Sequence, residues 1–301
     1  MPQNRFSLSS MLPHIGALVA VTMWGMSFVS TKMVMQYGGL GPTEAYVYRF
    51  IVAYAIMLLF SHRKMWANNW MDEMLLALCG MLSGSIYFIL ENTALEYTLT
   101  ANVSLLTSTS PLITVLFAGL MYKSERPGRG LLTGSLIACV GMVCVILNST
   151  TSLEVRPLGD LLALLAAACW AVYSLILKRL NVLYDALFIT RKTFAYGIIT
   201  ALPFLAFEPE LVDIAAVIGN PVVLVNLLFL AVGASCIGFY LWSVSIKYIG
   251  AVKSNNYMYF QTIVTVVASY FLLGEQIGLI GYIGFALILF GLWLGDYLEK
   301  R

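Results

Sequence analysis

Charged side chains are scarce in this sequence. Asp, Glu, Lys and Arg make up 11% of its 301 residues, where an average soluble domain carries about a quarter. With 60% of the chain hydrophobic and a mean hydropathy of +0.86, water is excluded as its main solvent. Histidine is nearly absent: His14 and His62 both lie near the borders of apolar runs. The five cysteines, Cys79, Cys139, Cys144, Cys169 and Cys236, sit inside apolar stretches at spacings that fit neither a zinc site nor a disulfide framework. No metal-ligand cluster, phosphate-binding loop or nucleophile constellation is present, so the expectation is a protein that is not an enzyme and needs no cofactor or metal. The formal net charge is +2 with no block of like charge, so no nucleic-acid partner is expected.

What the sequence does contain is long apolar runs. Bounded by charges, Pro and Gly, they fall near 13–35, 44–61, 73–95, 101–121, 128–147, 158–180, 186–207, 222–246, 252–273 and 276–295. A membrane-spanning helix needs about 20 mainly apolar residues. The runs are continuous, where barrel strands would alternate polar and apolar over about ten residues. The expected fold class is therefore an all-α polytopic membrane protein of ten transmembrane helices, with the bilayer as its main partner. Arg5 precedes the first run, but no small-residue cleavage pattern follows it, which favours a retained helix over a signal peptide. With the N-terminus cytoplasmic, only Lys32, Arg49 and Arg156 of the 17 basic residues fall on the outer side. That bias predicts that both termini are cytoplasmic.

Self-comparison matches Trp24 with Trp170 and Lys32 with Lys178, then Arg49, Ala53 and Tyr54 with Arg191, Ala195 and Tyr196. Further along, Tyr97 pairs with Tyr248, Glu125 with Glu275, Gly134 with Gly284 and Gly141 with Gly291. The expected halves are residues 1–150 and 151–301. Each holds five spans, an odd number, so the second half enters the membrane from the opposite side, as in many secondary transporters.

The residues that repeat also carry a resemblance. Trp24 to Phe28 (WGMSF), Arg49-Phe50, the run from Ala94 through Tyr97 to Pro111, Glu125 at the following turn and the glycine-spaced stretch from Gly130 to Gly141 resemble the EamA family of the drug/metabolite transporter superfamily. The second half repeats the pattern more loosely, with Gln261 where the first half has Pro111. The resemblance covers essentially the whole chain. It implies a ten-helix inverted-repeat carrier in a bacterial inner membrane, exporting or exchanging small metabolites, with amino acids and related compounds prominent.

The residues themselves suggest where a solute would bind. Glu91 lies about five residues inside one end of the third span, and intramembrane carboxylates commonly face a partner or a water-filled pathway. It can bind a substrate ammonium, take up a coupling proton, or form an ion pair with Arg49, which sits at similar depth. Arg49 can also receive a carboxylate through its guanidinium fork. Trp24 and Ser27 share a face of the first span, and Trp170 and Tyr173 repeat it in the sixth. Tyr87 lies on the Glu91 face, and Trp242 stands at the matching stretch of the eighth span. Asn102 and Thr109 precede Pro111 in the fourth span, and Asn256, Tyr259 and Gln261 are their counterparts in the ninth. For each amide or hydroxyl the competing reading is an interhelical hydrogen bond. Gly130, Gly134, Gly141, Gly284, Gly291 and Gly295 permit close helix contact, within a monomer or in a homodimer. The competing functions are a carrier of nucleotide, sugar or lipid-linked substrates, which would want basic residues along the pathway, and a membrane scaffold that moves no solute.

Overall fold

The computed structural model describes residues 8–121, 157–208, 211–255, 257–275 and 278–299, together with positions 130, 133, 134, 136–138, 140, 141, 143 and 144. Among the described residues the chain is almost wholly helical and contains no strand. The main helices are α1 (Leu8–Gly38), α2 (Pro42–Phe60), α3 (Trp70–Tyr97), α4 (Thr100–Thr107), α5 (Ser110–Met121), α6 (Pro157–Leu183), α7 (Ala186–Ala201), α8 (Pro221–Ile249), α9 (Ala251–Asn255), α10 (Met258–Leu273) and α11 (Leu279–Glu299).

Among the described residues, six helical segments are long and apolar enough to cross a membrane: Met11–Gly38, Pro42–Phe60, Trp70–Tyr97, Thr100–Phe117, Pro157–Leu183 and Pro221–Ile249. Met258–Leu273 and Leu279–Gly295 are apolar but shorter. The run expected at 128–147 is described only at scattered positions, and the one expected at 186–207 is α-helical only to Ala201. Beyond it, Leu202–Phe207 tightens into a 3-10 turn with Pro203 near its start, where a missing N–H does least harm. Large apolar side chains such as Leu59, Phe60, Phe271 and Trp293 are exposed on the outside of the bundle, the surface a lipid environment covers.

Local chemistry explains the helix ends. Pro42 begins α2, and Glu44 in its first turn accepts from the Gly41 N–H at 3.1 Å. Asn69 caps α3 by accepting from the Asp72 N–H at 2.8 Å. Gly39, Gly250 and Gly274 hold φ between 67 and 83°, the left-handed region that side chains disfavour, and each terminates or follows a helix.

Two long helices are irregular in the middle. α3 widens to a π-helical turn over Met81–Ser85, and α8 does the same over Phe229–Gly238. Such turns release carbonyls from the regular ladder and cluster at functional sites. Helix α4 breaks at Ser108 and Thr109 before Pro111, as expected from the proline, and an interruption also separates α9 from α10.

The bundle is interleaved along the sequence. α1 packs against α8 and α10, α2 against α7 and α8, and α3 against α6. The glycine seam expected from the sequence is internal to the chain. A Cβ on Gly134 would collide with the Gly291 carbonyl oxygen, and one on Gly141 would sit 2.7 Å from that of Gly284. In a membrane, close backbone approach of this kind replaces the hydrophobic drive for helix association.

Candidate functional site

Helix α1 brings Trp24, Ser27 and Phe28 to the centre of the bundle, α2 brings Arg49, and α3 brings Tyr87, Phe88 and Glu91. From the later part of the chain come Trp170 on α6, Phe239 on α8, and Met258 with Gln261 on α10. These side chains enclose a void of about 20 Å³, about the room one water needs. In this conformation the site is closed on itself.

One wall is aromatic. Trp24 meets Trp170 edge-on with ring centroids 5.2 Å apart, and also touches Phe239 at 5.4 Å and Trp242 at 5.0 Å. Tyr173 packs behind Trp170 at 5.1 Å. The Trp24 Nε1 donates to the Ala234 carbonyl at 2.9 Å, inside the π-helical segment of α8. The widened turn thus supplies an acceptor to a buried indole.

The charged wall is Arg49 and Glu91, both essentially buried. Arg49 donates through Nε to the Ser235 hydroxyl at 3.0 Å, again in that π-helical segment, and its guanidinium lies 4.7 Å from the Phe88 ring centroid and 5.1 Å from that of Phe50. Its Nη1 and Nη2 have no hydrogen-bond partner, nor does the Trp170 Nε1. The ion pair with Glu91, one of the three alternatives left open by the sequence, is not formed: the two groups face one cavity, but no carboxylate–guanidinium contact lies within 4.0 Å. The buried pairs among the described residues are elsewhere, Lys32 with Glu275 and Lys192 with Glu73.

The structure therefore gathers Trp24, Ser27, Arg49, Tyr87, Glu91, Trp170 and Gln261 at one cavity, with Tyr173 and Trp242 packed behind it. Asn102, Thr109 and Tyr259 lie away from it. Asn102 donates to the Thr98 hydroxyl at 3.4 Å and lines a separate apolar cavity of about 50 Å³ with Leu105 and Phe285. Thr109 donates back to the Leu106 carbonyl at 2.6 Å, satisfying the broken turn of α4. Tyr259 packs against Leu105, Leu112 and Ile288. Asn256 is outside the described residues.

The neighbouring hydroxyls of α4 are used between helices. Ser104 donates to Thr265 at 2.9 Å, Ser108 meets Thr262 at 2.5 Å, and Thr265 also reaches the Gly25 carbonyl at 2.9 Å. Ser235 and Met258 escaped the sequence reading. Neither is charged or repeated in the first half, and Ser235 reaches Arg49 across 186 positions of sequence.

One end of the bundle opens. A cleft of about 730 Å³ lies beside the last turns of α1 and α3, lined by Lys32, Gln36, Gly41, Leu95, Glu96 and Glu208. Lys32 and Leu95 lie about one turn beyond Phe28 and Glu91 on the same two helices. Phe28 and Leu95 belong to one packed cluster, so this plug separates the cleft from the central void.

The EamA-like transporter family matches this chain twice, over residues 11–147 and again over 157–294. The chain belongs to that family. It is similar to an uncharacterized transporter of Archaeoglobus fulgidus, 25% identical over 92% of this chain and 95% of that one. It is also similar to the uncharacterized transporter YyaM of Bacillus subtilis, 25% identical over 89% and 88%, and to the inner membrane protein YtfF of Escherichia coli, 24% identical over 91% and 92%. A solved crystal structure shares the fold with a TM-score of 0.67 at 21% identity, covering 95% of this chain and 98% of the other. An EamA transporter with six long apolar helices is a multi-pass membrane protein and a membrane transporter.

Proposed function

We propose that this EamA transporter is a secondary carrier working by alternating access, and that it exports amino acids or related small metabolites across a bacterial inner membrane. Its ten spans form two inverted five-helix halves, residues 1–150 and 151–301, with both termini cytoplasmic. One observation carries this reading: the central cavity takes its walls from both family-matched stretches, Trp24, Arg49 and Glu91 from the first and Trp170, Phe239 and Gln261 from the second. Rocking of one half against the other would open such a site to either face in turn.

The contents of the cavity favour a small solute with both apolar and polar parts. The indoles of Trp24 and Trp170 and the ring of Phe239 offer apolar and π surface, while Glu91 offers a carboxylate to a substrate ammonium or a coupling proton. A phosphorylated substrate would want several basic groups, and Arg49 is the single one on this wall. The plugged cleft above Phe28 and Leu95 fits a state closed around the site and nearest to opening on the α1 C-terminal side.

The test is uptake and counterflow in proteoliposomes with a pooled amino-acid and nucleobase panel, with and without a pH gradient. Saturable flux of at least one amino acid is expected. No saturable flux of any compound contradicts the carrier reading.

A further inference from the structure

The Arg49 guanidinium is built as a receptor and left unfilled. Its Nε is fixed to Ser235 at 3.0 Å, and its Cζ lies 4.7 Å from the centre of the Phe88 ring. The side chain is therefore held in one pose before any ligand arrives. Yet Nη1 and Nη2, in a residue only 1% exposed, have no partner, and the Trp170 Nε1 beside the same cavity has none either. Burying charged donors unpaired is costly, and a structural arginine would be expected to spend them on carbonyls. Arg191, its repeat counterpart, does so: it donates to the Ser61 and Lys64 carbonyls.

We infer that Arg49 is the specificity-determining residue of this cavity, receiving a carboxylate of the transported solute on its paired Nη1 and Nη2, with Ser235 as the positioning residue that aims it. Two parallel N–H donors match the two oxygens of a carboxylate, a geometry that lysine cannot reproduce. Trp170 Nε1 supplies a further donor from the facing half. Glu91 sits in the same cavity, so a solute that pairs its carboxylate with an ammonium leaves the site neutral, whereas a dianion such as phosphate adds two uncompensated negative charges. Because Ser235 lies in the π-helical segment Phe229–Gly238, a return of that segment to α-helical register would turn the hydroxyl away from Arg49. Recognition of the carboxylate and the shape of α8 are then linked.

The inference rests on the carrier reading only for calling the ligand a transported solute, and it is tested without transport. Exposed Trp66, Trp70 and Trp293 are replaced by Phe, leaving the fluorescence of the buried cluster. The purified protein is then titrated with sodium formate, with formamide as the neutral isostere, inorganic phosphate as the dianion and chloride at matched ionic strength. Formate is the smallest carboxylate, so it asks least widening of a void that holds about one water, and it carries the group in question. A saturable fluorescence change is expected with formate and with neither formamide nor phosphate. Arg49→Lys should weaken it by about tenfold or more, and Ser235→Ala by about fivefold. Loss of folding in Arg49→Lys leaves Ser235→Ala as the decisive variant. No saturable response to formate, equal responses to formate and formamide, or an unchanged response in Ser235→Ala overturns the inference. A formate response without flux of any solute would overturn the carrier reading alone.

Discussion

Trp24 and Trp170 meet edge to face at the centre of the bundle, 5.2 Å between ring centroids. They are also the residues that self-comparison pairs between the two halves. When repeat-related residues touch each other, they lie close to the axis that relates the repeats, and in an inverted-repeat carrier that axis passes through the site. Under the proposed inverted-repeat arrangement, both indoles would combine a functional and a packing role at one point.

Removing one of them should separate those roles. Trp24→Phe keeps an aromatic edge against Trp170 and Phe239 but loses the bond to the Ala234 carbonyl. It should retain flux at a reduced level, whereas Trp24→Ala and Trp170→Ala should each lower flux at least about tenfold, with a loss of thermal stability of order 3 kcal/mol or more from the cavity left behind. Counterflow together with thermal unfolding in detergent checks both.

Glu91→Gln is nearly isosteric and removes only the charge and the proton site. The variant should insert normally and lose either its dependence on a pH gradient or its affinity for an amine-bearing solute. Unchanged transport over the whole pH range would assign Glu91 to packing alone.

Lys32 and Glu275 tie α1 to the loop before α11, with Nζ and Oε1 at 2.9 Å. The same carboxylate caps α4, accepting from the Thr100 N–H at 3.1 Å and its hydroxyl at 2.7 Å. One side chain thus joins three segments beside the open cleft. Lys32→Gln and Glu275→Gln should be non-additive in a double-mutant cycle read by flux, with a coupling of about 0.5–3 kcal/mol. Additive effects would mean that the pair does not hold this end closed.

Much of the central site was legible because helical spacing and repeat matching both act on local sequence. Trp24 and Ser27 fall one turn apart, as do Tyr87 and Glu91, and Trp170 repeats Trp24, so spacing and repetition alone put all five on cavity-facing surfaces. What pattern cannot convey is which of two competing partners a polar group takes. Ser104 and Thr109 satisfied that choice within the helix bundle, while Arg49 was left with its fork open to the cavity. The π-helical turns were invisible for a related reason: neither Met81–Ser85 nor Phe229–Gly238 carries a proline, and the close approach of Tyr46 to Gly84 and of Trp24 to Gly238 comes from distant sequence. Arg191, the repeat match of Arg49, shows the same limit of pattern, which does not say where its fork goes. It is buried and clamps the α2–α3 connection through the Ser61 and Lys64 carbonyls.

The glycine seam gives a stability prediction independent of any solute. Gly134→Ala forces a Cβ into the backbone of Gly291 and Gly295, which cannot move aside as a side chain would. It should destabilise the protein by about 1–3 kcal/mol. Gly219→Ala, with nothing within 4 Å of the added carbon, should be close to neutral. Thermal unfolding of the two variants side by side decides the point.

The central claim is that one cavity is presented to the two membrane faces in turn. Ser27 lines that cavity, and Ser27→Cys in a background lacking the five native cysteines places a single reporter there. Its labelling by a membrane-impermeant thiol reagent, applied from either side of oriented vesicles, tests the claim most directly. Labelling from both sides, slowed from each by a transported solute, is the predicted result; labelling confined to one side under every condition would contradict it.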